Sequence, residues 1–406
     1  MTMMTTEEKE LVKATVPVLK TNGVQLTTHF YQRMFRYNPE LKHTFNQGNQ
    51  QNGRQQMALA MAVLAYAEHI DDPSVLLPVL NHIGHKHVSL SIRPEHYAIV
   101  GRHLLASIGE VLGEAATPEL IQAWAKAYQQ LSKLMSGVEA DLYEQNVAQE
   151  GGWTGWRPFR VEIKQAESSE ITSFYLVPVD GGPVAPHQPG QFLSVRVFLP
   201  QLQLLQPRQY SISSAPNQRY YRISVKRETN AIPSFNGMIS NYLHDHIQEG
   251  DTLDLSAPAG EFTLELSASR PSVFISGGVG QTPLLSMLEH LLNSSSQQPI
   301  HWIHGCRHAG VHAFKDVLAE WEAAYPHLHT HLFYSQLPEL GGSQAGVQTG
   351  IVDISQLPAS VLDPEAIYYV CGPSGFITKQ FEDLQAAGIP ASSIRFEEFG
   401  PQSLAL

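Results

Sequence analysis

The stretch Ser272-Val273-Phe274-Ile275-Ser276-Gly277-Gly278-Val279-Gly280-Gln281-Thr282-Pro283 carries the reading of the C-terminal third of the chain. Ser272 to Ser276 is a short apolar strand. Glycines at 277, 278 and 280 make a turn, and Pro283 to Leu292 reads as a helix, with proline where a first helical turn tolerates it. A strand, a glycine turn and a helix N-terminus in that order suit a dinucleotide pyrophosphate. The glycines admit its close approach, and the helix end supplies free N–H groups and a positive dipole. Gly278, Val279, Gly280, Gln281, Thr282 and Pro283 are therefore the candidate NAD(P) contacts. An ordinary strand-to-helix turn is the plainer alternative, and the motif ends in Pro283 where the usual fingerprint ends in Gly or Ala.

Downstream, Ile300 to His304 and Ala366 to Val370 read as buried strands, His329 to Phe333 as extended chain and Phe314 to Trp321 as a helix. Strands alternating with helices predict a doubly wound, parallel α/β nucleotide domain over residues 264–406. Cys371-Gly372-Pro373 follows a strand, at the end where open α/β sheets bind ligands, which adds these residues to the nucleotide candidates. A lone cysteine is also commonly a small buried residue. The tip of the second strand carries Gly305, Cys306, Arg307 and His308 rather than an acid. Arg307 either meets a phosphate or is a solvated charge, so NADH and NADPH both stay open.

Upstream, the period changes to two. Phe159, Val161 and Ile163 alternate with Arg160, Glu162 and Lys164; Leu193, Val195 and Val197 with Ser194 and Arg196; Tyr221, Ile223 and Val225 with Arg222, Ser224 and Lys226. Gly181-Gly182-Pro183 and Ala257-Pro258-Ala259-Gly260 supply turns. This pattern predicts an antiparallel β-barrel over 157–263. Arg208-Gln209-Tyr210-Ser211 lies on one of its strands. Arginine suits a pyrophosphate, tyrosine offers a flat face to an aromatic ring, and serine offers a hydroxyl to a ring nitrogen. Residues 148–156 read as a linker.

Residues 1–147 read as all helical. Thr5-x-x-Glu8 is a capping box. Pro39, Pro94 and Pro118 open helices, with Asn38 and Thr117 as caps. Ile99, Leu104, Ile108, Leu120, Trp124 and Tyr128 recur at helical spacing. His82, His85 and His87 are spaced i, i+3 and i, i+2 rather than the i, i+4 of a helical metal pair, and a zinc pair lacks a clear third ligand. A solvated polar face is the plainer reading for most of the nineteen histidines.

The 406 residues, at roughly 150 per domain, suggest two to three domains. With 43% hydrophobic and 16% charged residues a packed core is expected. A net charge of −12 disfavours nucleic-acid binding. Two cysteines fit a reducing compartment rather than a disulfide scaffold. No apolar run approaches the roughly 18 residues of a membrane span, and no secretory signal is evident. A cytoplasmic, multidomain small-molecule enzyme is the expectation.

Taken in order, Arg208 to Ser211, Gly237-Met238-Ile239-Ser240-Asn241, Gly278 to Pro283, Cys371-Gly372-Pro373 and Phe399-Gly400-Pro401 resemble the ferredoxin–NADP reductase superfamily, over residues 157–401. The resemblance implies FAD held by Phe192, Arg208, Gln209, Tyr210 and Ser211. It places Gly237, Ser240 and Asn241 on the pyrophosphate and Phe399, with Gly400 and Pro401, at the flavin. His29 to Phe35, Leu41 to Phe45, Asn52-Gly53-Arg54-Gln55 and Lys86-His87 resemble the globin domain of flavohaemoglobins, and the reductase pattern follows it as in that family.

This second resemblance implies haem b with His87 as the iron ligand. Phe45, Leu59 and Lys86 belong to the haem pocket, Tyr31 and Gln55 to its distal side, and Tyr97 and Glu139 form the proximal hydrogen-bonding pair. It further implies electron flow from NAD(P)H to FAD to haem, and a nitric oxide dioxygenase reaction that turns NO and O2 into nitrate in a monomeric cytoplasmic protein. The alternative is a gas-sensing or oxygen-binding globin whose reductase only resets ferric haem.

Overall fold

The computed structural model describes residues 4–45, 53–229, 237–265, 270–294, 297–336 and 346–399. The chain forms two compact units, residues 4–157 with 194–208, and residues 158–193 with 209–399. Among the described residues no helix is long and apolar enough to cross a membrane.

The first unit is built on α1 (Thr6–Lys13), α2 (Val16–Tyr37), α3 (Arg54–Glu68), α4 (Leu77–Ser89), α5 (Pro94–Leu112) and α6 (Pro118–Ala148). The capping signals in the sequence are realised at two of its starts. Glu8 N–H donates to Thr5 Oγ1 at 3.2 Å while Thr5 N–H donates to Glu8 Oε2 at 2.9 Å. Leu120 N–H donates to Thr117 Oγ1 at 3.2 Å. Asn38 differs. It precedes a short 3-10 turn, Pro39–His43, and its side chain bonds Glu40 and His103 instead of capping. Phe30, Met34, Tyr66, Ile108 and Trp124 are buried in one apolar core. The α5–α6 crossing depends on Gly101, because a Cβ there would sit 2.4 Å from the Tyr128 ring.

The chain then enters β1 (Arg157–Ala166), β2 (Ile171–Pro178), β3 (Phe192–Leu199), β4 (Leu204–Ser211), β5 (Tyr221–Lys226), α7 (Met238–His246) and β6 (Thr252–Leu255). The sheet order is β4-β3-β6-β1-β2-β5. β1–β2 and β2–β5 are antiparallel. A bulge between Val161 and Ile163 shifts the β1 register, which leaves Ile163 45% exposed although alternation predicts it buried. Residues 194–208 pack with the first unit. Ser194 Oγ donates to Ser89 Oγ at 2.9 Å, and Leu205 N–H donates to His43 Nδ1 at 3.0 Å.

The second sheet holds β7 (Ser272–Gly277), β8 (Ile300–Cys306), β9 (Leu328–Tyr334), β10 (Val347–Thr349), β11 (Ile367–Gly372) and β12 (Ile394–Glu398), in the order β10-β9-β8-β7-β11-β12. Every pairing in it is parallel. α8 (Gln281–Leu292), α9 (Lys315–Ala324) and α10 (Ser374–Ala386) connect its strands. Residues of α8 and α9 lie in one apolar cluster of this sheet and residues of α10 in another, the doubly wound arrangement. Strand order reverses at β7, so the crevice beyond β7 and β11 is the topological switch point at which such sheets bind ligands.

Candidate functional site

His87 on α4, Tyr97 on α5 and Glu139 on α6 meet inside the helical unit. His87 Nδ1 lies 2.8 Å from Glu139 Oε1 and 3.0 Å from the Tyr97 hydroxyl, and Tyr97 donates to the same carboxylate oxygen at 2.5 Å. An ionised carboxylate only accepts, so the network assigns the imidazole proton to Nδ1 and the lone pair to Nε2. Among the described residues Nε2 has no partner. Glu139 is 2% exposed and its other oxygen has no partner among the described residues. Burial, reinforced by Glu139, pushes the Tyr97 phenol well above its usual range, so it stays a donor.

The aromatic cluster at Tyr31 lies in the same unit. The buried Tyr31 ring is 4.9 Å from Phe30, 5.9 Å from Phe35 and 5.9 Å from Phe45. Gln55 and Leu59, both half-buried, stand one helical turn apart on α3, and half-buried Lys86 precedes His87 on α4. Asn52 lies outside the described residues. The expected solvated face at His82 and His85 is not observed. Both are half-buried, and burial lowers both, His82 to about 4.

In the second unit two turns meet at the switch point. A Cβ on Gly280 would lie 2.2 Å from the Cys371 carbonyl oxygen, so only glycine lets the turn after β7 reach the end of β11. Gly278 takes φ +57. Thr282 Oγ1 donates to Val279 O at 3.0 Å, closing the first turn of α8. Gln281 is fully buried, yet among the described residues neither amide atom of its side chain has a partner. Val279 and Pro283 flank it, Pro283 buried. Cys371 has no exposed side-chain surface, and burial pushes its thiol far up, so it packs rather than reacts. Gly372 and Pro373 continue from it into α10. Arg307 pairs with Glu170.

On the barrel, Arg208 donates to its neighbour's carbonyl at Pro207, Gln209 is exposed, Tyr210 half-buried and Ser211 buried. Phe192 is locked by a reciprocal backbone pair with Ala259, N–H to O at 2.8 and 3.0 Å. Around Gly237, the Ser240 hydroxyl donates to Gly237 O at 3.0 Å and Asn241 Nδ2 to Gly237 O and Glu228 O, each at 2.9 Å. Those side chains brace the start of α7, whose first backbone N–H groups have no partner within the helix. Phe399 is 41% exposed. Gly400 and Pro401 lie outside the described residues.

The residues present fit the expected groups. A lone pair on Nε2, backed by a buried carboxylate and set in a unit whose Phe35, Phe45 and Leu59 are only partly buried, suits an iron porphyrin. The orphaned Gln281 amide beside a turn that excludes side chains suits a nucleotide.

The family model described as Globin matches residues 28–135, and the one described as Oxidoreductase NAD-binding domain matches 274–381. The flavohemoprotein of Bordetella parapertussis is 53% identical over 99% of this chain and 100% of its own length. The chain belongs to the flavohaemoprotein family. The crystal structure of flavohemoglobin from Malassezia yamatoensis, with bound FAD and heme, is 26% identical, covers 98% of this chain and 99% of that one, and has a TM-score of 0.86. The FAD/NAD-binding domain of nitric oxide dioxygenase from Vibrio cholerae is 36% identical over 60% of this chain and 99% of its own, with a TM-score of 0.55.

This flavohaemoprotein is thus an oxidoreductase, and its fold joins a helical globin part to antiparallel and parallel sheets. Two residues behind its His87 cluster escaped the sequence reading as site residues. Tyr128 donates to the Tyr97 carbonyl at 2.7 Å and Tyr143 to the Ile92 carbonyl at 2.7 Å. A signal existed for both. Eleven residues and four residues from Glu139 are three turns and one turn of the same helix face.

Proposed function

We propose that this flavohaemoprotein is a nitric oxide dioxygenase, converting NO and O2 to nitrate with NAD(P)H as reductant, and that it works as a cytoplasmic monomer. When bound, FAD supplies the change from two-electron to one-electron transfer and haem b supplies the chemistry of the diatomic gases. His87 holds the iron through Nε2. Glu139 and Tyr97 hold the Nδ1 proton in place, fix the ring's orientation and make it a stronger donor. Tyr31 offers its hydroxyl to negative charge on the distal side, with Gln55 beside it. Phe45, Leu59 and Lys86 wall the haem pocket. Phe192, Arg208, Gln209, Tyr210, Ser211 and the segment Gly237 to Asn241 hold FAD, with Phe399 to Pro401 at its ring. Gly278 to Pro283 and Cys371 to Pro373 take the nicotinamide nucleotide. The two cysteines are free, as a reducing compartment favours.

The observation that carries this reading is the carboxylate and phenol converging on His87 Nδ1. An imidazole made electron-rich in this way suits activation of dioxygen more than its simple carriage. The Vibrio relative described as a nitric oxide dioxygenase points the same way. The test is an NO electrode trace in aerated buffer with NADH. Sustained consumption of about two NO per NADH with nitrate as product is expected, and Tyr31→Phe should release O2 faster in flash photolysis. A single stoichiometric loss of NO without turnover would leave the gas-binding alternative standing and remove this one.

A further inference from the structure

The parallel pairing of β8 with β9 sets His301 beside His329 and Ile303 beside His331, so three imidazoles share one sheet face near the N-terminal ends of the strands. The His301 ring centroid is 5.3 Å from that of His329 and 5.6 Å from that of His331. His301 Nδ1 lies 3.4 Å from His331 Nε2. His301 is 3% exposed. His331 is half-buried and His329 is exposed. The nucleotide turns lie at the opposite, C-terminal ends of these strands, so the reaction uses none of the three.

A separation of 3.4 Å is long for an N–H···N hydrogen bond. It is the separation that two imidazole nitrogens take on one tetrahedral cation, since bonds of ~2.0–2.1 Å put the two ligands roughly 3.3–3.4 Å apart.

We infer that His301 and His331, completed by His329, form a site for a zinc-class divalent cation. Among the described residues no three imidazole, thiol or carboxylate groups already converge on one point. His301 and His331 are the preformed edge of the site, and the exposed His329 side chain rotates in as the third donor, with water as the fourth. Imidazole donors select zinc, copper and nickel over magnesium and calcium, which need oxygen. The ion clips β8 to β9 and leaves the nucleotide end untouched, so this inference stands or falls independently of the proposed reaction.

Isothermal titration of the haem- and flavin-loaded full chain with Zn2+ alone tests it, beside His331→Gln and His329→Gln. One tight equivalent is expected in the unmodified protein, weakened by about tenfold or more in either variant, with NADH-driven turnover unchanged. Equal affinity and stoichiometry in all three proteins overturns the site. Should His331→Gln fail to fold, crystals of the unmodified chain soaked in Zn2+ decide. An anomalous peak bonded to His301 Nδ1 and His331 Nε2 supports the site, and peaks elsewhere only overturn it.

Discussion

At His87 the helical unit gathers three polar side chains from three helices within 3.0 Å of one another. At Gly280 the second unit brings two stretches of backbone so close that a single methyl group would land 2.2 Å from a carbonyl oxygen. The first site is specified by what is present, donors and acceptors of matched charge. The second is specified by what is missing, a side chain. A charge-assisted network fails when an atom changes its hydrogen-bonding role. A steric cradle fails when volume is added, whatever its polarity.

The largest effect that separates the two belongs to His87→Ala. It removes the Nε2 lone pair, so haem should be lost nearly completely while FAD and its reduction by NADH persist. Haem at wild-type stoichiometry in the purified variant would refute the ligand assignment. Gly280→Val is the reciprocal break. Backbone cannot yield as a flexible side chain can, so the turn must shift by about an ångström, a misplacement that costs on the order of 100-fold in rate. Stopped-flow reduction of the flavin by NADH should slow to that degree with the haem absorption intact. An unaltered rate would show that the close approach is incidental to nucleotide binding.

The cradle was the more legible of the two. A strand, three glycines and a helix announce themselves within twelve residues, because the geometry they serve is local. His87, Tyr97 and Glu139 lie on three helices with no period connecting them, and only the family resemblance grouped them. Alternation also misled in places. Ser224 occupies an outward position in the pattern yet is 4% exposed, because it bonds Ser173 at 2.8 Å and Ser213 at 2.7 Å. A hydroxyl pays little for burial once another hydroxyl receives it. Histidines were the least legible. Burial drives His187 and His312 down to about 4 and His304 well below its usual value, so they sit neutral in the interior. Nothing in a sequence pattern distinguishes such a ring from a solvated one, because histidine can be neutral near physiological pH and the groups that surround it are distant in the chain.

Glu139→Gln sharpens the comparison from the side of the network. Shape and volume are nearly kept, so a purely steric site would hardly notice. Here one carboxylate oxygen accepts from both Nδ1–H and the Tyr97 hydroxyl. The amide removes the negative charge and brings two N–H groups into a pocket that supplies two donors already. Loss of such a partner to a metal-ligating imidazole costs about 10–100-fold in activity. The iron–histidine stretch in resonance Raman should move to lower frequency along with it. A loss of turnover with that frequency fixed would mean that Glu139 acts on stability and not on the imidazole.

The smallest effect tests how far the network extends. Tyr128→Phe keeps the ring against Gly101, which leaves the α5–α6 crossing intact, and deletes only the 2.7 Å bond to the Tyr97 carbonyl. One neutral hydrogen bond contributes about 1 kcal/mol. For a unit of this size that corresponds to a fall of about 2–4 °C in the melting temperature. The Tyr97 hydroxyl remains anchored by Glu139 on its own, so turnover and the iron–histidine stretch should barely move. If the stretch shifts as it does in Glu139→Gln, then Tyr128 is part of the apparatus that tunes His87, and the boundary between scaffold and site lies one hydrogen bond beyond Tyr97 rather than at the groups that touch His87 itself.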